Sequence, residues 1–320
     1  MDTNEATSTT LRALDLPHAL ERPSRRWLGY GLVLLAGGLW ACLGLFFRAL
    51  QSYNLPPTAI ALNRAAVAGL TLLLWLALRQ PAALRLRRRD LPYFAAYSVV
   101  ISAFFLVYVA AVNQGSVALA SVLLYTAPVW VVLFARIRWG EPLTSATLLA
   151  LGLAVGGSAL VALGGGALDG GGLAILLGLL SGLAYAVYSL LSNEGLRRGY
   201  PPTGIVLYAM LGGALVLLPF QDWDAVGRAF TTPGAWPALL AVGWVSSLLA
   251  PVCYAAGQQR IGASTAGILA TVEPVIAALL AWILLGETLA ALQLLGGASV
   301  LAAVIVLTWS KMSSRDEIKE

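Results

Sequence analysis

The sequence holds 320 residues, of which 59% are hydrophobic and only 11% charged, with a formal net charge of +5. Soluble domains carry about 25% charged residues, so a soluble fold is excluded, and so are a disordered chain, collagen and, with two cysteines, a disulfide-stapled scaffold. What remains is an all-α integral membrane protein, and at about 20 residues per crossing the length admits eight to ten spanning helices.

Apolar runs of bilayer length predict ten spans, at 28–48, 57–78, 91–112, 116–135, 143–163, 172–193, 203–220, 236–257, 263–285 and 288–309. Nothing alternates with the period of a transmembrane strand. With a cytoplasmic N-terminus, 17 of the 20 Lys and Arg residues fall on the cytoplasmic side, Arg48 and Arg228 on the other, and Arg64 inside a span. Such a bias predicts a multi-pass protein of a bacterial-type inner membrane with both termini cytoplasmic. The positive charge then meets lipids of the inner leaflet, and nucleic acid is not an expected partner.

Residues 1–26 read as a polar cytoplasmic tail that holds the single His18, with Arg25 and Arg26 anchoring the first span. That span brings Trp40 and Cys42, and the second brings Arg64, whose long side chain is expected to snorkel outward. The run Arg85, Arg87, Arg88 and Arg89 sets topology or binds anionic lipid. Span three aligns Tyr97, Ile101, Phe104 and Tyr108 on one helical face; span four offers Ser121, Tyr125 and Pro128 and ends at Gly140-Glu141. Span five carries Gly152 and Gly156, and span six Gly178 and Gly182, at spacings that suit close helix packing. Span six also aligns Ser181, Tyr185, Tyr188 and Ser192, and span eight Trp244, Ser247, Pro251, Tyr254 and Gln258. Span nine presents Gly267, Thr271, Glu273 and Pro274, ends at Gly286-Glu287, and is followed by span ten and a polar tail, 311–320.

Polar and aromatic stripes suit either helix packing or a cavity wall. Their number favours a cavity lined by Trp40, Tyr97, Phe104, Tyr108, Tyr125, Tyr185, Tyr188, Ser247, Tyr254 and Thr271, suited to a small amphipathic solute. Pro128, Pro251 and Pro274 predict helix breaks, freeing the carbonyls of Leu124 and Ala270 in spans four and nine. Glu273 lies near the midplane, where an ionised group costs at least ~2.5 kcal/mol; it is either a coupling or amine-binding group or a protonated structural one. Glu141 and Glu287 fit helix-terminal capping. No constellation for catalysis, metal binding or a cofactor is present in the sequence, and no obligatory protein partner is evident.

The chain repeats itself. Pro56-Pro57-Thr58 returns as Pro201-Pro202-Thr203, and Tyr108-Val109-Ala110 as Tyr254-Ala255-Ala256. Positions 120–149 match 266–295 without a gap at 12 of 30 pairs, among them Pro128-Val129 with Pro274-Val275 and Gly140-Glu141 with Gly286-Glu287. Two five-span units, 27–163 and 172–310, are thus joined by the glycine-rich connector 164–171. An odd number of spans per unit inverts the second copy, the arrangement of secondary transporters.

The segment Leu269-Ala270-Thr271-Val272-Glu273-Pro274-Val275 followed by Gly286-Glu287-Thr288-Leu289, with its copy in span four, resembles the EamA-type drug/metabolite transporter superfamily, and within it most the aromatic amino-acid exporters (the YddG type). The resemblance implies ten helices in two inverted repeats around a central cavity, and export of a small metabolite such as an aromatic or other neutral amino acid by alternating access. Nucleosides, sugars or drugs are the alternative cargoes; a passive channel or an intramembrane enzyme are the alternative classes. Tyr108 and Tyr254, equivalent in the two units but at opposite depths, are then the expected outer and inner gates.

Overall fold

The structure, a computed structural model, describes residues 23–316; residues 1–22, with His18, and 317–320 of the predicted tails lie outside the described residues. Ten long apolar helices account for nearly all of it: α1 (Arg26–Leu50), α2 (Pro57–Arg79), α3 (Arg88–Gln114), α4 (Val117–Trp139), α5 (Ser145–Gly164), α6 (Gly172–Arg197), α7 (Pro202–Phe220), α8 (Pro233–Ile261), α9 (Ala263–Leu285) and α10 (Ala291–Ser310). A short amphipathic helix, Trp223–Thr231, precedes α8, with the Asp222 carboxylate capping its first turn. Every predicted span is present. Several run longer than expected because helical winding continues past the last apolar residue into the polar edge.

Local chemistry sets the ends. Pro56-Pro57 and Pro201-Pro202 open α2 and α7, where the missing N–H is harmless and the fixed φ suits a first turn. α4 and α9 end on Gly140 and Gly286, both left-handed at φ 69°. Among the described residues the sole β-type pairing is an isolated bridge, Gly115 with Gly170, which ties the connector to the end of α3.

The helices pack in matching pairs. α3 lies along α6 as α8 lies along α1, α2 pairs with α7, and α5 with α10. The last pair meets at Gly157 and Gly296, where a methyl group on Gly157 would come within 2.7 Å of the Gly296 carbonyl. Gly152 and Gly156, expected to serve such packing, instead face open space; spacing alone does not say which face of a helix meets its neighbour.

Besides a one-residue interruption of α1 at Cys42, two helices are divided near mid-length. α4 divides into Val117–Leu124 and Ala127–Trp139, and α9 into Ala263–Leu269 and Val272–Leu285. Pro128 and Pro274 stand just inside the second halves, as the loss of an N–H requires. The Ala270 carbonyl is not free as expected, because the Glu273 N–H donates to it at 3.1 Å. Each break is cradled by a glycine of the other unit: Gly182 of α6 lies against the Leu123 carbonyl, and Gly37 of α1 against Val272. Pro251 produces no comparable break. The strain is taken up upstream by eight residues of π-helical winding, Val242–Leu249, that widen α8 without interrupting it.

Candidate functional site

A small cavity lies at the centre of the bundle, lined by Trp40, Arg64, Phe104, Tyr185, Tyr188 and Ser246 among others, with a volume of ≈ 30 Å³. Its walls are a continuous aromatic assembly. Trp40 stands 5.4 Å from Tyr254 and 6.3 Å from Tyr185 between ring centroids; Tyr185 meets Phe104 at 5.5 Å and Tyr188 at 5.9 Å. Trp40 Nε1 donates to the Ser246 carbonyl at 3.0 Å, fixing α1 on the widened turn of α8. A volume of that size admits about one water molecule, so binding a metabolite requires these helices to move apart.

Arg64 enters the cavity and does not snorkel. Its Nε donates to Ser247 Oγ at 2.8 Å and its guanidinium lies 4.4 Å above the Phe105 ring. The two terminal nitrogens carry no hydrogen-bond or ion-pair partner among the described residues. Glu273 stands in the first turn of the second half of α9, where the helix dipole favours a carboxylate. Its side chain is half-buried and within electrostatic reach of Arg64, Tyr108, Tyr125 and Tyr185, yet it too makes no side-chain hydrogen bond or ion pair among the described residues.

The remaining expected residues divide by depth. Tyr108 is half-buried, its hydroxyl 3.4 Å from Ser121 Oγ, and Tyr125 is half-buried beside Glu273. Tyr254 is fully buried, bonded through its hydroxyl to Ser189 Oγ at 2.6 Å, with Gln258 Nε2 donating to the same serine. Tyr97 is buried behind Tyr188, at 5.5 Å, and takes no part in the cavity wall. Thr271 is buried with its hydroxyl donated to the Ile268 carbonyl of its own helix at 2.7 Å, which removes it from the cavity. Trp244 turns outward, 45% exposed, and its indole N–H bonds Thr71. The π turn explains that difference: one extra residue in the winding rotates Trp244 off the stripe and brings Ser246 onto it. Pro251 does line the cavity. Ile101, on the stripe of α3, lines the wall as well; sequence periodicity missed Phe105 and Met210, which come from positions adjacent to or outside the stripes.

A larger cavity, ≈ 330 Å³, opens among the polar loops beside Arg85, Arg87 and Tyr200. It adjoins a network in which Arg198 and Tyr200 both donate to the buried Asp90 carboxylate at 2.8 Å. Burial above all, with Asp90 adding, raises the Tyr200 phenol above its ordinary value, so it keeps the proton it donates. This network clamps the start of α3 to the α6–α7 loop.

The chain has four informative likenesses. The EamA-like transporter family matches the chain twice, at residues 27–163 and 172–309. An Archaeoglobus fulgidus protein described as an uncharacterized transporter is 36% identical over 199 residues, 62% of this chain and 70% of that protein. A Streptantibioticus cattleyicolor protein described as a probable terminal-alkyne amino-acid exporter is 30% identical over 268 residues, 81% of this chain and 86% of that protein. A solved crystal structure superposes with a TM-score of 0.73 at 19% identity, covering 90% of this chain and 98% of that one, which speaks to the fold alone.

Proposed function

The chain belongs to the EamA-like transporter family, and from that premise we propose that it exports small zwitterionic metabolites, aromatic or other neutral amino acids, by alternating access across the inner membrane. As a family member it is a multi-pass membrane transporter of small molecules. The finer reading is carried by one observation: Arg64 lines the aromatic cavity, Glu273 stands within electrostatic reach of Arg64 and of the cavity-lining Tyr185, and among the described residues neither pairs with the other or with the protein through its terminal atoms. An unpaired charge at membrane depth is costly, and a ligand bearing both a carboxylate and an ammonium relieves both charges at once. Arg64, braced by Ser247 and Phe105, offers its free fork to a carboxylate. Glu273 faces the ammonium. Trp40, Phe104, Tyr185 and Tyr188 supply stacking surface for an aromatic or apolar side chain. The resemblance to a protein described as a probable terminal-alkyne amino-acid exporter supports an amino acid as the cargo class.

In this reading the cytoplasmic face is the one where α1 begins, because the basic loops gather there. Tyr254, sealed against Ser189, closes that mouth, and Tyr108, half-buried, stands at the other.

The test is competition in proteoliposomes against radiolabelled phenylalanine. Phenylalanine and tyrosine should compete, whereas phenethylamine, which lacks the carboxylate, and phenylpropionate, which lacks the amine, should each be weaker by about tenfold or more, the worth of one charged hydrogen bond. Arg64→Ala should abolish the advantage of phenylalanine over phenethylamine. Nucleosides competing as well as phenylalanine, or no distinction among the three phenyl compounds, would overturn the zwitterion reading.

A further inference from the structure

Glu141 and Glu287 follow the left-handed glycines that end α4 and α9, and they are equivalent positions, 146 residues apart. Their surroundings are not equivalent. On the face where α1 begins, the Glu141 carboxylate accepts N–H bonds from Ala263 at 3.2 Å and Ser264 at 3.1 Å, the opening residues of α9. The N-cap there is Gly262, which has no side chain to offer those groups. On the opposite face the counterparts of Ala263 and Ser264 are Val117 and Ala118, also 146 residues away, which open α4. Ser116 caps only the Leu119 N–H of that turn, so no side chain serves Val117 or Ala118 among the described residues. Glu287 has the residue type and register to do so. Instead it pairs with Arg48 of α1 at 2.6 Å, both side chains more than half exposed.

The packing carries the same asymmetry. The half of α4 beyond its break, Ala127–Trp139, packs on the opening half of α9, Ala263–Leu269; the other two halves, Val117–Leu124 and Val272–Leu285, do not pack on each other to that extent. Between α4 and α9 the bundle is therefore shut at the face of Glu141 and not closed in the same way at the face of Glu287. Of the seven buried polar side-chain atoms without partners among the described residues, four lie toward the shut face, Trp139 Nε1, Asn193 Nδ2, Gln258 Oε1 and Ser264 Oγ, while Ser158 Oγ and Gln221 Oε1 lie in the other half. Permanently dry groups of this kind are costly; a mouth that opens to water in part of a cycle accounts for the four at the shut face.

We propose that Glu141 and Glu287 are alternating latches of the transport cycle. Glu141 holds the N-terminal turn of α9 and shuts one mouth in the conformation seen here. In the opposite conformation Glu141 releases, and Glu287 leaves Arg48 for the N–H groups of Val117 and Ala118, shutting the other mouth. Carboxylate on a helix N-terminus is favourable through both hydrogen bonding and the dipole, whereas an exposed ion pair contributes little, so the exchange from Arg48 is not opposed. The inference rests on the alternating-access reading but not on the identity of the cargo.

The experiment is side-specific thiol labelling in the absence of substrate. Ser246→Cys places a reporter in the cavity of a protein whose own thiols are removed by Cys42→Ala and Cys253→Ala. A membrane-impermeant maleimide is applied to right-side-out and to inverted vesicles. Glu141→Ala should raise labelling from the face where α1 begins by about tenfold, the conformer ratio that one charged hydrogen bond commands, and lower it from the other face. Glu287→Ala should shift labelling the opposite way, and Glu141→Gln, which keeps one acceptor oxygen, should fall between wild type and Glu141→Ala. Changes of the same sign on both faces, or none, would show that Glu141 is a static cap and overturn the latch while leaving alternating access standing. A reporter that labels from one face only, with and without added phenylalanine, would remove alternating access and the latch with it. If Glu141→Ala does not insert, the signs of Glu287→Ala and Glu141→Gln decide alone.

Discussion

Glu273 and Arg64 show how far single residues can be read. That each is a charge inside an apolar span is plain from the sequence, and the cost of such a charge makes it a candidate for function. Where the side chains go is not plain. Arg64 turns inward because Ser247 Oγ and the Phe105 ring receive it, and Ser247 reaches it only through the π turn of α8, a feature of winding that no local residue pattern announces. Thr271 shows the reverse case: it shares a stripe with Pro274, but the break in α9 gives its hydroxyl a backbone partner and the cavity loses it. Glu273→Gln keeps the shape of the side chain and removes its charge. Membrane insertion and thermal stability should stay within about 1 kcal/mol of wild type, while export of a zwitterion falls about tenfold and its dependence on pH flattens. Rates equal to wild type at every pH would reduce Glu273 to a favourable charge in a helix's first turn.

At the scale of elements, the ten spans were legible from bilayer-length apolar runs, and the breaks in α4 and α9 from interior prolines, although the same residue type at Pro251 gives no break because the π winding upstream accommodates it. The contacts that make the breaks tolerable were not, because they join residues far apart in the chain. Gly182 is the clearest case: a methyl group there would lie 2.7 Å from the Leu123 carbonyl and 2.8 Å from Thr126 Oγ1. Backbone cannot yield as a flexible side chain does, so Gly182→Ala should destabilise the protein by about 1–3 kcal/mol, the range of overpacked cores. Gly156→Ala, in an equally helical stretch with nothing within 4 Å, should be neutral or stabilising by up to about 1 kcal/mol. Thermal unfolding of the detergent-solubilised variants measures both. Equal effects at the two sites would mean that the α4–α6 contact at Leu123 does not constrain the helices.

For the whole molecule, the internal repeat in the sequence anticipated equivalent helix ends and breaks, and both recur in the structure, with the left-handed Gly140 and Gly286 at one such pair of ends. Repetition in sequence cannot say which of two equivalent contacts is formed at a given moment. The bundle makes the Glu141 contact and not its counterpart, seals Tyr254 and leaves Tyr108 half-buried, so one chain with two similar halves adopts an asymmetric state. A cavity of ≈ 30 Å³ is a resting geometry and has to expand around its cargo. A protein that carries a zwitterion through such a state moves it one molecule per conformational change, which distinguishes it from a pore. Counterflow tests this most directly: proteoliposomes loaded with unlabelled phenylalanine are diluted into a trace of labelled phenylalanine, and internal label is followed with time. The account predicts saturable entry with a transient overshoot above equilibrium, lost in Arg64→Ala. Monotonic, non-saturating entry that is indifferent to internal phenylalanine would contradict it.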